Sequence, residues 1–542
     1  MRTLKGWPLW GLLLTVGACA GDADQSGTSG EFDDGPGSGF PSGPPTDPGG
    51  GADAGTSGSG GSAGALPPET EVQVDFEVPR AGAQYVFVAN PRRDTVAVID
   101  SSNLAIRTVE VGDKPAALVT VNQKDVALAL NAGSADLSVL RATPTAVSVS
   151  TLPVGAGVNR ISVSPSGSHA LAWYDSRIDG GLGGAGSFQD VSLIRLSPQG
   201  DVAIPLTVGF RPSAVSFSTD DTSAFVVTDD GVSIVRFAQI TAPAVVPLVP
   251  LQAAAQMGAA DVSITPDGKF ALGRKEGSAE VSLVDLQTGI ATKLTLGAAV
   301  TDLDLAPDGT FAVAVLREAK QMLTLPLPLG FSDANARVVQ TFPDDVVGSA
   351  TLTPDGKMAF LYTTVGDAER ALLVAVDGTA APRAVVLRKG VRGVAIAPSG
   401  GAAVVLHTKQ AGDPEAPGLD VESKIDRAFG YSVVALASGF AKLQLTAAEP
   451  GPLAIVPDSS RAFVLLRDDA RDLRVAQQID LQSFLVKDFV LGSPPLAIAT
   501  LVGSNRVFVS QMHPAGRLSF IDWVSGEVQS VTGFELNGGI RQ

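Results

Sequence analysis

One pattern recurs along most of this chain and leaves few folds open: a short strand, a tight turn, an almost wholly apolar strand, a variable loop, a third strand and a last one. It is plainest in Asp261–Gly273 (DVSITPDGKFALG), Asp302–Leu316 (DLDLAPDGTFAVAVL) and Ser349–Tyr362 (SATLTPDGKMAFLY). Weaker copies occupy Ile161–Trp173, Val394–Leu406 and Leu453–Leu466; degenerate ones occupy Ala117–Leu130, Ala214–Thr228 and Leu496–Ser510. Val74–Ala89 opens the series, making ten units of roughly 47 residues each, a repeat length that signals β-propeller blades of four strands. The predicted fold is therefore all-β, a propeller over 71–542.

The second strand of each unit carries apolar residues at consecutive positions, as in Phe311–Val315 and Ala402–Leu406. A strand sandwiched between two neighbouring sheets reads this way, because both of its faces are buried. Third strands alternate, as in Val281–Leu286. The Pro-Asp-Gly triplets fall between first and second strands. Proline pre-sets φ at the turn entry, Asp bonds nearby backbone and Gly accepts positive φ, so these are hairpin corners rather than a binding motif. Single propellers typically have about four to eight blades, so ten units leave open one unusually large ring, two smaller rings, or a smaller ring with extra strands. The lack of a linker-like break within 71–542 favours one ring, closed by packing of first unit on last.

Tyr85–Asp100 (YVFVANPRRDTVAVID) resembles the YVTN-type, WD40-like propeller repeat, in which a Tyr-Val-x-Asn strand leads to Val-x-Val-Ile-Asp. The resemblance implies a fold and an extracytoplasmic setting. Propellers similar to that type include sugar-lactone hydrolases and the redox propellers of denitrification.

The N-terminus points to export. Arg2 and Lys5 precede an apolar run, Trp7–Val16, that is shorter than the roughly 20 residues a membrane span needs. It ends in Val16-Gly17-Ala18-Cys19, which resembles the lipobox of bacterial lipoproteins; residues 1–18 would then be a lipoprotein signal peptide and Cys19 the lipidated N-terminus. Ala18-Cys19-Ala20 also fits an ordinary A-x-A cleavage site. Cys19 is the only cysteine of the 542 residues, so no intrachain disulfide can form. Residues 19–70 are rich in Gly, Ser, Pro and Asp, too apolar-poor to offset ordering entropy, and read as a disordered tether spanning on the order of 40 Å. The expected setting is the bacterial cell envelope, with the propeller held to a membrane by its lipid.

Seven acidic residues of that tether (Asp22, Asp24, Glu31, Asp33, Asp34, Asp47, Asp53) carry much of the net charge of −17 and leave the rest only mildly acidic. Without a basic cluster to neutralise phosphates, nucleic acid is a poor partner. Arg383, Arg388, Lys389 and Arg392 form a modest basic run that reads as solvated surface.

In an antiparallel four-stranded blade, the loops after strands two and four share one rim. The longest insertions fall after second strands, at Tyr174–Asp190 and Thr408–Gly430, with shorter charged loops at Asn90–Thr95, Gly273–Glu280, Arg467–Arg474 and Gln511–Arg517. Binding residues favour loops on a rigid scaffold. The candidate binding rim comprises Arg92, Arg93, Asp175, Arg177, Lys275, Glu276, Arg467, Arg471 and His513. Its expected partner is a protein or a polysaccharide.

Chemistry is sparse. His169, His407 and His513 are scattered over three units, and no HExxH, GxSxG or phosphate-loop pattern occurs in a suitable context, so no catalytic residue, metal or cofactor is assigned. Asp100 and Asp285, beside third strands, read as turn caps. A lactonase-type hydrolase is the alternative to a binding scaffold.

Overall fold

The computed structural model describes residues 81–178, 187–251, 260–366, 368–513 and 515–534. Residues 1–80, on which the expected signal peptide, the lipidation site Cys19 and the expected tether fall, lie outside them. Ten sheets, antiparallel except for one added strand, follow one another along the chain. Eight are plain four-stranded blades; the sixth, for example, runs Asp302–Leu305, Phe311–Leu316, Gln321–Pro326 and Val338–Thr341 in spatial order. The first blade shows three described strands, Tyr85–Asn90, Thr95–Asp100 and Ile106–Glu110.

The ten sheets close into one ring, and the apolar residues show how. Side chains alternate across a strand, so a doubly buried strand feeds two cores. In the sixth blade Ala312, Ala314 and Leu316 join the core shared with the fifth, while Val313 and Val315 join the core shared with the seventh. The same partition repeats around the molecule as ten cores, one for each seam between neighbouring blades. The last seam joins first blade to tenth: Val86, Ala97 and Ile99 pack on Leu501, Phe508 and Phe520. Gly503 N donates to Ala83 O at 2.8 Å across it. Each fully buried Leu, Val or Phe contributes roughly 1.5–3 kcal/mol, so seam packing is the main cohesive term.

The hairpin corners behave as their sequence dictates. Thr265 Oγ1 donates to Asp267 Oδ1 (2.7 Å) and accepts from Phe270 N (3.0 Å), while Asp267 Oδ1 also accepts from Lys269 N (3.1 Å). Thr353-Pro-Asp-Gly repeats the arrangement bond for bond. Gly268 has φ +68°, and a Cβ there would lie 2.2 Å from Phe225 Cζ of the preceding blade, so this glycine serves both turn and seam. Units without the glycine place Asp221 and Ser459 at positive φ in the corresponding position, and the Ala117–Leu130 unit places Gln123 there one residue earlier. Asp100 and Asp285 cap the turns that follow them, accepting from Ser102 N (2.8 Å) and from Gln287 N and Thr288 N (2.8 and 2.9 Å).

One seam carries an extra device. After the third strand of the fourth blade the chain crosses back, and Ala244–Val245 pairs in parallel with Val202–Thr207, the outer strand of the third. That makes the third sheet five-stranded and ties two neighbours by backbone hydrogen bonds as well as by packing.

Candidate interaction rim

The loops after second and fourth strands gather on one rim, and two stretches of it are elaborated. On the third and fourth blades, three separate segments are joined into one surface. The Asn159 side chain holds the start of the long loop, accepting from Asp175 N (2.8 Å) and donating to Asp175 O (3.0 Å). Asp175 Oδ1 accepts from Arg177 N at 3.0 Å, turning the chain again. The loop's return is held by Gln189, whose Nε2 donates to Val208 O (3.1 Å) and whose carbonyl accepts from Val208 N (2.9 Å). Arg211, at φ +53°, donates from N to Phe188 O (2.9 Å) and from Nε to Ser176 Oγ (3.1 Å). Asp230 Oδ2 accepts from Phe210 N at 2.8 Å.

This stitching sets three aromatic rings side by side. Tyr174 and Phe188 have centroids 6.0 Å apart at 57°, and Phe188 and Phe210 are 5.6 Å apart at 48°. Phe210 is 41% exposed and Ile178 beside the loop start 46%. A fork of charge borders them: Asp229 takes Arg177 Nη2 on Oδ1 at 2.8 Å and Arg211 Nη1 on Oδ2 at 3.3 Å.

On the eighth blade the long loop folds onto itself. Asp420 caps the helix Val421–Arg427 by accepting from Ser423 N at 2.7 Å. Lys389 lies beneath its far end, where Nζ donates to Ile425 O and, at 3.0 Å, to Asp426 O. Lys389 is only 2% exposed. That corrects its reading as part of a solvated basic run: the helix's unsatisfied C-terminal carbonyls draw a cation inward. Burial pushes its pKa down, against the carboxylates of Asp426 and Glu369. A small open recess of about 10 Å³, room for one water, is lined by Glu369, Lys389, Gly390, Thr408, Gln410 and Asp426. His407, also buried, sits between Gly390 O (Nδ1, 3.1 Å) and Ser432 Oγ (Nε2, 2.7 Å). Burial takes its pKa to about 4, so it is neutral at neutral pH.

Of the rim residues singled out in the sequence, Asp175 and Arg177 come together with Arg211 and Asp229. Asp175 is buried, and its carboxylate shapes the loop rather than facing outward. Arg467 and Arg471 share the ninth-blade turn, Arg467 paired with Asp469 (Nε–Oδ1, 2.8 Å) and Arg471 3.6 Å from Asp468. Arg92 and Arg93 are exposed on the first blade, Lys275 and Glu276 on the fifth. His513, on the tenth, accepts from Ala515 N through Nδ1 at 3.1 Å. The histidines stay on separate blades: His169 stacks on Phe237 at 3.9 Å, near the end opposite the rim. Among the described residues, no group of three or more His, Cys, Asp or Glu is placed to hold a metal. Sequence reasoning missed Tyr174, Phe188 and Phe210; aromatic residues in loops of a chain that is 6% aromatic are the signal that could have found them.

No protein-family profile matches this chain, and no curated protein sequence matches it. Among solved structures it is similar to hydrazine synthase of Kuenenia stuttgartiensis, at 14% identity over 59% of this chain and 95% of that one, TM-score 0.33. It is also similar to a eukaryotic initiation factor (11% identity, 83% and 96% covered, TM-score 0.48) and to the dihydro-heme d1 dehydrogenase NirN in complex with DHE (14%, 87% and 84%, TM-score 0.41). Likenesses of that size carry nothing about activity, and the fold rests on the ten seams themselves.

Proposed function

We propose that this chain is a membrane-tethered binding scaffold of the bacterial cell envelope. Its ring presents the loop rim to a protein or polysaccharide partner, and a lipid on Cys19 holds it at the membrane. The observation that carries the reading is the construction of the rim on the third and fourth blades. Three segments distant in the chain are hydrogen-bonded into one surface that leaves Phe210 exposed, with Tyr174 and Phe188 half-buried in line with it. Preorganised surfaces bind without a large ordering cost, and aromatic side chains supply most contact energy where they are exposed on a rigid base. Around these rings the described polar groups position loops.

Two measurements test the two halves. Cys19→Ala expressed in a bacterial host should move the protein from the membrane fraction to the soluble envelope fraction; continued retention would overturn the anchor. Immobilised protein should retain a component of separated envelope protein or polysaccharide fractions, and replacing the third- and eighth-blade loops with Gly-Ser segments should abolish retention. Retention indifferent to both replacements would overturn the rim as the binding face.

A further inference from the structure

We infer that the Tyr174–Phe188–Phe210 patch is a binding site for a neutral glycan. It presupposes that the loop rim is the binding face, and it goes further by naming the ligand chemistry and the residues. Pyranose rings have apolar C–H faces and an equatorial belt of hydroxyls. A matching site needs aromatic faces for the first and planar, paired hydrogen-bonding groups for the second.

The third- and fourth-blade rim places both side by side. Phe188 lies between the other two rings, 6.0 Å from Tyr174 and 5.6 Å from Phe210, and C–H contacts to aromatic faces are favourable, if individually weak. Beside them the Arg177 and Arg211 guanidiniums are held on Asp229 with side chains 35% and 40% exposed. A guanidinium has five donors in a rigid fork, so each keeps N–H groups for vicinal hydroxyls after binding the carboxylate. Exposed Asp230 uses one carboxylate oxygen on Phe210 N, leaving acceptor capacity at the patch edge.

Charge and area select among ligands. Arg177 and Arg211 are balanced by Asp229 and Asp230, so the patch has no excess positive charge to draw phosphate or uronate. A standard protein interface takes about 800 Å² from each partner. Three partly covered rings and one isoleucine offer on the order of a few hundred Å². That is enough for a few sugar units and too little for a stable protein contact.

The test uses the full chain and three probes: N-acetylglucosamine tetramer, maltotetraose and polygalacturonate, titrated calorimetrically at low and high salt. At least one neutral oligosaccharide should bind without salt dependence, and Phe188→Ala and Phe210→Ser should each weaken it tenfold or more. Thermal melts confirm that both variants are folded, and a glycine-serine replacement of the eighth-blade loop should leave sugar binding unchanged. The inference is overturned if neither neutral probe binds, if only polygalacturonate binds and does so salt-dependently, or if the aromatic variants bind as well as the wild type. If the wild type ignores sugars yet its loop rim still retains an envelope protein, the glycan site fails while the rim reading stands.

Discussion

The third and eighth blades carry the two longest loop insertions, and they use them in opposite ways. On the eighth, the polar groups that hold the loop and its base are spent inside the protein: Asp420 on the helix start, Lys389 on the helix end, His407 between Gly390 and Ser432. On the third, hydrogen bonds hold the backbone while aromatic side chains and guanidiniums are left at the surface. Loop length and charge therefore do not mark a site. What marks it is which groups remain available once the loop's own hydrogen bonds are satisfied.

That contrast can be broken experimentally, beginning with the largest effect. His407 is held neutral with a pKa of about 4 when folded, against an ordinary value of 6.5. The unfolded chain takes up the proton first, so this contribution is full above pH 6.5, declines as pH falls from there to about 4, and changes no further below. The loss amounts to about 3 kcal/mol. Urea unfolding across that window should show it, and His407→Gln should flatten the dependence; an unchanged slope would mean the histidine is not sealed in.

Lys389→Met removes a charged donor from two helix carbonyls and should cost roughly 2 kcal/mol. It should also open residues 410–427 to limited proteolysis that the wild type resists. Asp420→Ala removes the cap at the other end and should lower the urea midpoint by less than Lys389→Met does, read in the same unfolding experiment. Phe210→Ser on the third blade should move stability by no more than about 0.5 kcal/mol, the ordinary size of a surface change. A cost as large as that of Lys389→Met would show both loops to be structural, and the contrast would be gone.

Much of the fold was legible in the sequence because a propeller writes its geometry locally. Phe311–Leu316 is apolar at every position since each face meets a different blade. Thr265-Pro-Asp-Gly forms its corner through contacts spanning six residues. The rim could be placed by counting strands, and Arg177 was reachable as a charge in a long loop. Its partner Asp229 was not, being 52 residues away on the next blade. Lys389 misled for a related reason: three arginines nearby suggest a wet basic surface, and only the docked helix explains its burial.

By itself, then, the sequence determined the blade, its four strands and its corners, since these depend on neighbours a few residues apart. It also determined which rim holds the variable loops, because strand alternation admits one answer. Tertiary structure alone decided that ten blades form one ring, through the packing of Val86 and Ile99 on Phe508 and Phe520 across more than four hundred residues of chain. It decided too that Tyr174, Phe188 and Phe210 meet. Those contacts depend on loops from adjacent blades finding each other's carbonyls and carboxylates, and nothing in a local pattern records that pairing.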